Sequence, residues 1–333
     1  MNFYSSDAYL EALAATWFPG RRYQVGLFAA EGKLFRLVDV EGHGPMITDG
    51  PRPGSYHYLD FLEPVDSREG AAGPGGARAV RWLPRVALEA REIQGPSPEE
   101  APHSPNVAVA PYIDWSRFHD WAAFQAHFVS RRGNLARDSR RRQRNLEKAL
   151  GRLRFEWDDR RPEVFDLAVA WKRSQYVRSN LRDELSILQN VQMFRELWRR
   201  GLLVISSLRA GERLVAAHLG VVWQRRFFYW VPAYDRGAFS FAPGRLLLEY
   251  MLAGSQARCH AQFDFLLGDE RYKYHYATHR RLIGNLGTQP LSESLRKGAR
   301  AVVKRTLSLH PPLLEKARML QNRWAAQLGH GAL

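Results

Sequence analysis

Two stretches in the last third of the chain put chemically useful groups at short spacing. In the first, a strand reading Phe227-Phe228-Tyr229-Trp230-Val231 leads through a loop into a helix that opens at Pro243-Gly244-Arg245. The first N–H groups of a helix lack intrahelical partners, Pro suits the first turn, and Gly leaves room for a phosphate to approach the backbone. In the second, a strand over 263–267 carries Asp264 between Phe263 and Phe265 and ends on Gly268-Asp269-Glu270-Arg271-Tyr272-Lys273-Tyr274. Carboxylates beside a phosphate cradle at one end of a sheet suit an acyl or phosphoryl donor. The alternative is an ordinary strand–helix–strand unit with a capped helix. In that case Asp269 and Glu270 form a pair favoured by a helix dipole, and Lys273 forms a salt bridge to one of them.

Asp264 is the sharpest of these residues. A strand alternates faces with period two, so its carboxylate points away from both flanking phenylalanines. A lone buried carboxylate costs several kcal/mol, which leaves two roles: a catalytic group, or half of an ion pair with Lys273 or Arg271 nearby in sequence.

The elements around these residues read as an α/β series. Helices are expected over 5–18, from Asp114 or Ser116 through Phe118, Trp121, Phe124 and Phe128, and over 134–150. Further helices are expected from Pro162 to about Arg178, through Leu188, Val191, Phe194 and Trp198, and from Pro243. Strands are expected over 23–30, 34–40, 55–62, 85–93, 106–113, 153–157, 202–209, 213–223, 227–231, 263–267 and 280–286, with hairpins at Glu31-Gly32 and Ala210-Gly211. Segments 42–54, 70–76 and 95–105 read as loops or linkers; 70–76 lacks the Lys-Ser/Thr ending of a P-loop.

Composition narrows the classes. At 333 residues with 45% hydrophobic side chains, ten Trp and seventeen Phe, the chain fills a real core. The single Cys259 excludes an intramolecular disulfide and argues against a zinc–thiolate site, which suits a reducing cytosol. No apolar run approaches the roughly 18 residues of a membrane span, so the expectation is a soluble, cytoplasmic protein. His275 and His279 lie four apart, but the residue after the first is Tyr rather than a zinc protease's Glu, and no metal site is expected. The formal charge of +15 favours anionic partners. Between 131 and 154, ten Lys/Arg face only Asp138 and Glu147. That stretch is either a solvated face or a surface for a phosphate-rich partner such as tRNA. The basic tail, 291–333, breaks at Pro311-Pro312 and ends in a helix that docks, dimerises, or lies on an anionic membrane surface.

The element order across 162–287, with Phe228-Tyr229-Trp230-Val231-Pro232-Ala233-Tyr234-Asp235, Phe241-Ala242-Pro243-Gly244-Arg245-Leu246 and the string Asp264-Phe265-Leu266-Leu267-Gly268-Asp269-Glu270-Arg271-Tyr272-Lys273, resembles the CelD/BcsL-type acetyltransferases, FemABX-related members of the GNAT fold. The resemblance covers about 105–290 and, more weakly, 1–104. It implies an α/β (α+β) fold of tandem GNAT-like halves, with mixed, mostly antiparallel sheets flanked by helices. The boundaries it implies are an N-terminal half over 1–113, a basic helical connector over 114–160, a catalytic half over 161–290 and a tail over 291–333. It also implies an N-acyltransferase using acetyl-CoA or another acyl-CoA, with an amine acceptor on a sugar or exopolysaccharide precursor. Carried over residue by residue, Tyr229, Val231, Pro243, Gly244 and Arg245 would hold pantetheine and pyrophosphate. Asp264, Asp269, Glu270, Tyr272 and Lys273 would face the transfer centre, with Asp264 or Glu270 orienting or deprotonating the amine and Tyr272 protonating the thiolate. One departure is clear: 239–245 read Phe-Ser-Phe-Ala-Pro-Gly-Arg, not the usual Arg/Gln-x-x-Gly-x-Gly/Ala phosphate loop. Because FemABX relatives use aminoacyl-tRNA, that donor is the alternative, followed by a non-catalytic nucleic-acid or membrane-surface protein.

Overall fold

The computed structural model describes residues 2–45, 61–65, 77–93 and 107–288. The loops expected at 70–76 and 95–105, the basic tail, and all of the 55–62 strand except Phe61 and Leu62 lie outside the described residues. The described chain forms two compact units that interleave in sequence. One holds the chain to Ala87, Tyr176–Leu197 and the described residues from Ile283; the other holds Leu88–Gln175 and Trp198–Leu282.

The first unit begins with α1 (Asp7–Trp17), whose Ser6 N-cap accepts the Tyr9 N–H at 3.2 Å. Its buried Tyr9 meets Phe3 and Tyr4 edge-on, with ring centres 5.0 and 5.1 Å apart. Strands β1 (Tyr23–Ala30) and β2 (Lys33–Val40) form the expected hairpin; Glu31 and Gly32 turn it with φ of 44° and 73°. Short strands β3 (Gly44–Pro45) and β4 (Arg78–Ala79) complete the order β3-β2-β1-β4. The first half of β5 (Trp82–Glu92) also belongs here.

The second unit carries β6 (Ala108–Asp114), α2 (Trp121–Leu150), β7 (Leu153–Glu156), α3 (Pro162–Arg178), the end of α4 (Leu188–Arg199), β8 (Leu203–Ala210), β9 (Arg213–Trp223), β10 (Arg226–Tyr234), α5 (Pro243–Ala257), β11 (Gln262–Asp264) and the start of β12 (His279–Gly287). Six strands run β6-β11-β10-β9-β8-β7; every pair among β6, β7, β8, β9, β10 and β11 is antiparallel except β10 with β11. The core lies between this sheet and α5, where Phe227, Tyr229 and Phe263 are buried with Leu246, Leu247 and Met251. Each such side chain contributes about 1.5–3 kcal/mol by leaving water.

Two sequence expectations change. The helices expected around Phe118–Phe128 and over 134–150 are one helix, α2, kinked at Arg132 (φ −140°, ψ 39°). It starts later than expected: Asp114 caps only a short 3-10 turn, and Asp120 caps α2 by accepting the Ala123 N–H at 2.7 Å. The strand expected over 263–267 stops at Asp264, because the Asp264 carboxylate accepts the Leu266 N–H at 2.9 Å and Leu266 turns left-handed at φ 60°. A strand cannot continue through that geometry.

Candidate active site

The two parallel strands β10 and β11 pair only from Arg226↔Gln262 to Phe228↔Asp264. β10 then runs on to Tyr234 while β11 turns away, so the two strands part. On its other side β10 slips register against β9 between Tyr229 and Val231, leaving Trp230 as an extra, bulged residue. Beyond Phe228 the edge of β10 is therefore out of register with β11. Such an edge suits an extended, amide-bearing chain. Tyr229 and Val231 are both buried on this strand.

At the end of β10, a 3-10 turn (Arg236–Phe241) delivers the chain to α5. Ala242 sits in the left-handed region at φ 53°, Pro243 opens the helix, and no side chain caps this end. Arg142, Tyr234, Phe239, Pro243, Gly244 and Arg245 line a cavity of about 300 Å³ here. A Cβ on Gly244 would stand 3.3 Å from the Tyr234 ring, so the glycine keeps the helix start open. Asp138 gathers three guanidiniums: Arg141 at 2.6 Å, Arg142 at 2.8 Å and Arg245 at 2.5 Å. Those hydrogen bonds, Arg142's first, hold its carboxyl well below the usual range. Arg142 and Arg245, which line the cavity, outnumber Asp138 beside a helix start where no described side chain caps the N–H groups, a setting that suits an anion. Arg245 Nε is buried without a hydrogen-bond partner among the described residues.

Asp264 is fully buried at the root of the splay. Its partners are Arg226 at 3.0 Å and Arg281 at 2.8 Å, not Lys273 or Arg271, which sequence proximity suggested. Long-range pairing across β10, β11 and β12 was invisible to a reading of neighbours. Lys273 is itself buried; it donates to the Leu267 carbonyl at 2.7 Å and pairs with Glu270 at 2.9 Å, closing the turn after β11. Asp269 and Glu270 are exposed on that turn, and Tyr272 is 36% exposed. Burial of its phenol, with the charge of Glu270, raises the Tyr272 pKa, which makes it a weak proton donor.

Around this turn the structure gathers groups that the sequence did not single out. His218 on β9 is fully buried and stacks on Tyr229 with ring centres 4.3 Å apart and planes at 10°. Lys172 on α3 lies within electrostatic reach of His218, Glu270 and Lys273. Desolvation lowers its pKa to about 8. Glu249 on α5 accepts from Ser139 at 2.7 Å and from Tyr276 at 2.9 Å, and burial raises its pKa. The available signals were slight. Lys172 follows Phe165 and Ala168 on a face that is otherwise apolar, and His218 and Glu249 interrupt apolar runs.

Residues 133–274 match the family model described as the acetyltransferase (GNAT) domain. Among solved structures, FemX matches at 10% identity over 86% of this chain and 91% of its own, with a TM-score of 0.51. At that identity the likeness is one of fold. The C-terminal domain of a putative lysylphosphatidylglycerol synthetase from Agrobacterium fabrum matches at 11% identity over 91% of this chain and 94% of that one, with a TM-score of 0.44. A conserved protein of unknown function from Bacteroides thetaiotaomicron matches at 10% identity over 66% of this chain; this chain spans 65% of that one, with a TM-score of 0.38. No curated protein matches. The fold is α+β and tandem GNAT-like, and residues 133–274 are the part similar to a GNAT acetyltransferase domain.

Proposed function

We propose that the protein is an N-acyltransferase that moves an acetyl or other acyl group from acyl-CoA to an amine, of the CelD/BcsL type, with a sugar-linked envelope or exopolysaccharide precursor as acceptor in the cytoplasm. The observation that carries the reading is the splay of β10 from β11 beside the uncapped start of α5. An extended pantetheine chain fits along β10 beyond Phe228, where that strand parts from β11, and Gly244 and Arg245 receive the pyrophosphate. The thioester then lies near Tyr229, where the turn carrying Glu270 and Tyr272 faces it. Glu270 orients the incoming amine. Asp264 acts by tying β10, β11 and β12 together at the root of the splay rather than by meeting substrate. In assays with acetyl-CoA and a panel of amino sugars, thiol release above the hydrolytic background is the expected result; none with any acyl-CoA would remove the reading.

A second reading, transfer from aminoacyl-tRNA, has one specific support. The 239–245 segment lacks the usual glycine-rich phosphate loop, and Arg140, Arg141 and Arg144 stand exposed on α2. If tRNA binds there, changing these three to Gln flattens the slope of log affinity against log salt by about one unit for each arginine that met a phosphate. We expect instead that the triple variant keeps its turnover and its retention on polyanions, as a solvated face would.

A further inference from the structure

We propose that the ring of Phe239 is a stacking platform for the adenine of the acyl donor, so that the acyl group comes from a nucleotide thioester and not from the phosphopantetheine arm of a carrier protein. This assignment rests on the acyl-CoA reading above. Phe239 is 65% exposed, more than any other large hydrophobic side chain among the described residues. A single surface phenylalanine needs no explanation by itself. This one lines the cavity of about 300 Å³ at the start of α5, together with Arg142 and Arg245. One face of its ring lies on Tyr234, with ring centres 6.1 Å apart and planes at 28°. Tyr234 in turn packs on the core of the second unit, so the exposed part of Phe239 is presented from a supported base.

The turn that carries the ring is tied at both ends. Phe239 sits on the 3-10 turn Arg236–Phe241 between β10 and α5. Asp235 opens that turn by accepting the Gly237 N–H at 2.8 Å, and it also accepts from Arg213 Nε at 2.8 Å. A Cβ on Gly237 would stand 2.5 Å from Arg213 Nη2, so the missing side chain lets that guanidinium approach. One residue beyond Phe239, Arg142 donates to the Ser240 carbonyl while its Nε holds Asp138 at 2.8 Å. The same arginine thus fixes the turn and brings positive charge beside the ring.

Ring and charge together select the ligand. A nucleobase presents a π-face that stacks on an exposed aromatic ring, and a guanidinium pairs with phosphate through its planar fork. A base laid on Phe239 therefore sets its phosphates beside Arg142 and Arg245, and the cavity volume reaches the lower end of the range for small-ligand sites. The chemistry recognised is an adenine ring joined to phosphate. Acyl-CoA carries it, as does the 3′ end of a tRNA. The phosphopantetheine of a carrier protein has the phosphate and lacks the base.

The test compares the binding of acetyl-CoA and of S-acetyl-4′-phosphopantetheine to the full chain by calorimetry. The wild type should bind acetyl-CoA the more tightly. Phe239→Ala should shrink that preference at least about fivefold, with the melting temperature unchanged. Phe239→Leu, which keeps apolar bulk without a ring, should lose the preference in the same way, whereas Phe239→Trp should keep it. A wild type that binds the two ligands alike, or a Phe239→Ala protein with its preference intact, would overturn this assignment and leave the acyl-CoA reading standing. No binding of acetyl-CoA by the wild type would overturn the acyl-CoA reading and this assignment with it; binding of a short RNA ending in adenosine in its place would then assign the donor to tRNA.

Discussion

A carboxylate inside a protein is held there by its partners, and Asp264 has three. Its oxygens accept from Arg226, from Arg281 and from the Leu266 N–H, at 3.0, 2.8 and 2.9 Å. One side chain thus ties β10, β11 and β12 together at the register where the first two separate. Removing its charge leaves two guanidiniums buried against their own repulsion. Asp264→Asn should cost about 3–5 kcal/mol in denaturant unfolding, with activity lost in step with the folded fraction. A variant as stable as the wild type but slower by about 100-fold would put the carboxylate in the chemistry instead. The sequence pointed to Asp264 because alternation isolates it from Phe263 and Phe265. It could not name Arg226 and Arg281, since the sheet brings them in from 38 and 17 residues away. Lys172 was harder still: a lysine following apolar positions on a helix face is legible as an oddity, but the charges around it sit on a turn far downstream in the chain.

At the scale of elements, strand and helix boundaries followed local chemistry closely where caps and turns are strong. Helix α3 begins at Pro162 and ends at Arg178 as its pattern predicts, and both hairpins turn at their glycines. Gly211 is needed for more than its φ of 58°: a Cβ there would lie 2.2 Å from the Leu150 carbonyl oxygen, which closes the end of α2. The break that the sequence shows between two helices, before Asn134, is the kink of α2 at Arg132, beside Gly133; what was not legible is that the helix resumes without a loop. Helix α5 is locked at its far end by a relay: Trp115 Nε1–H donates to Ser255 Oγ at 3.1 Å, and the Ser255 hydroxyl meets His260 Nδ1 at 3.0 Å. A tryptophan N–H can only donate, so Ser255 keeps its own proton, which a neutral His260 can accept. Burial, with Arg258 and Arg225 nearby, brings the His260 pKa down to about 4. The folded value lies below the unfolded one, so the unfolded state binds more protons between about 6.5 and 4. The stability contribution is complete above about pH 6.5 and is lost as pH falls through that window, by roughly 3 kcal/mol at most. Unfolding free energies at pH 7 and 4.5 should therefore differ less in His260→Gln than in the wild type. Equal pH slopes in the two proteins would show that the relay does not hold the neutral ring.

For the whole molecule, the charge of +15 is spread largely over solvated arginines, and what concentrates it is the Asp138 cluster at the start of α5. No described helix is long and apolar enough to cross a membrane. The two compact units interleave, so the chain leaves and re-enters each of them, an arrangement that linear reading of composition does not disclose. What linear reading did find is the order of elements that builds one splayed sheet and one open helix end. Calorimetric titration of acetyl-CoA into the wild type and Gly244→Val tests that construction most directly. The added side chain meets Tyr234 and fills the helix start while leaving the core untouched. Saturable binding by the wild type, weakened at least tenfold in the variant with the melting temperature preserved, is the predicted result; equal affinities, or no wild-type heat at all, would contradict the account.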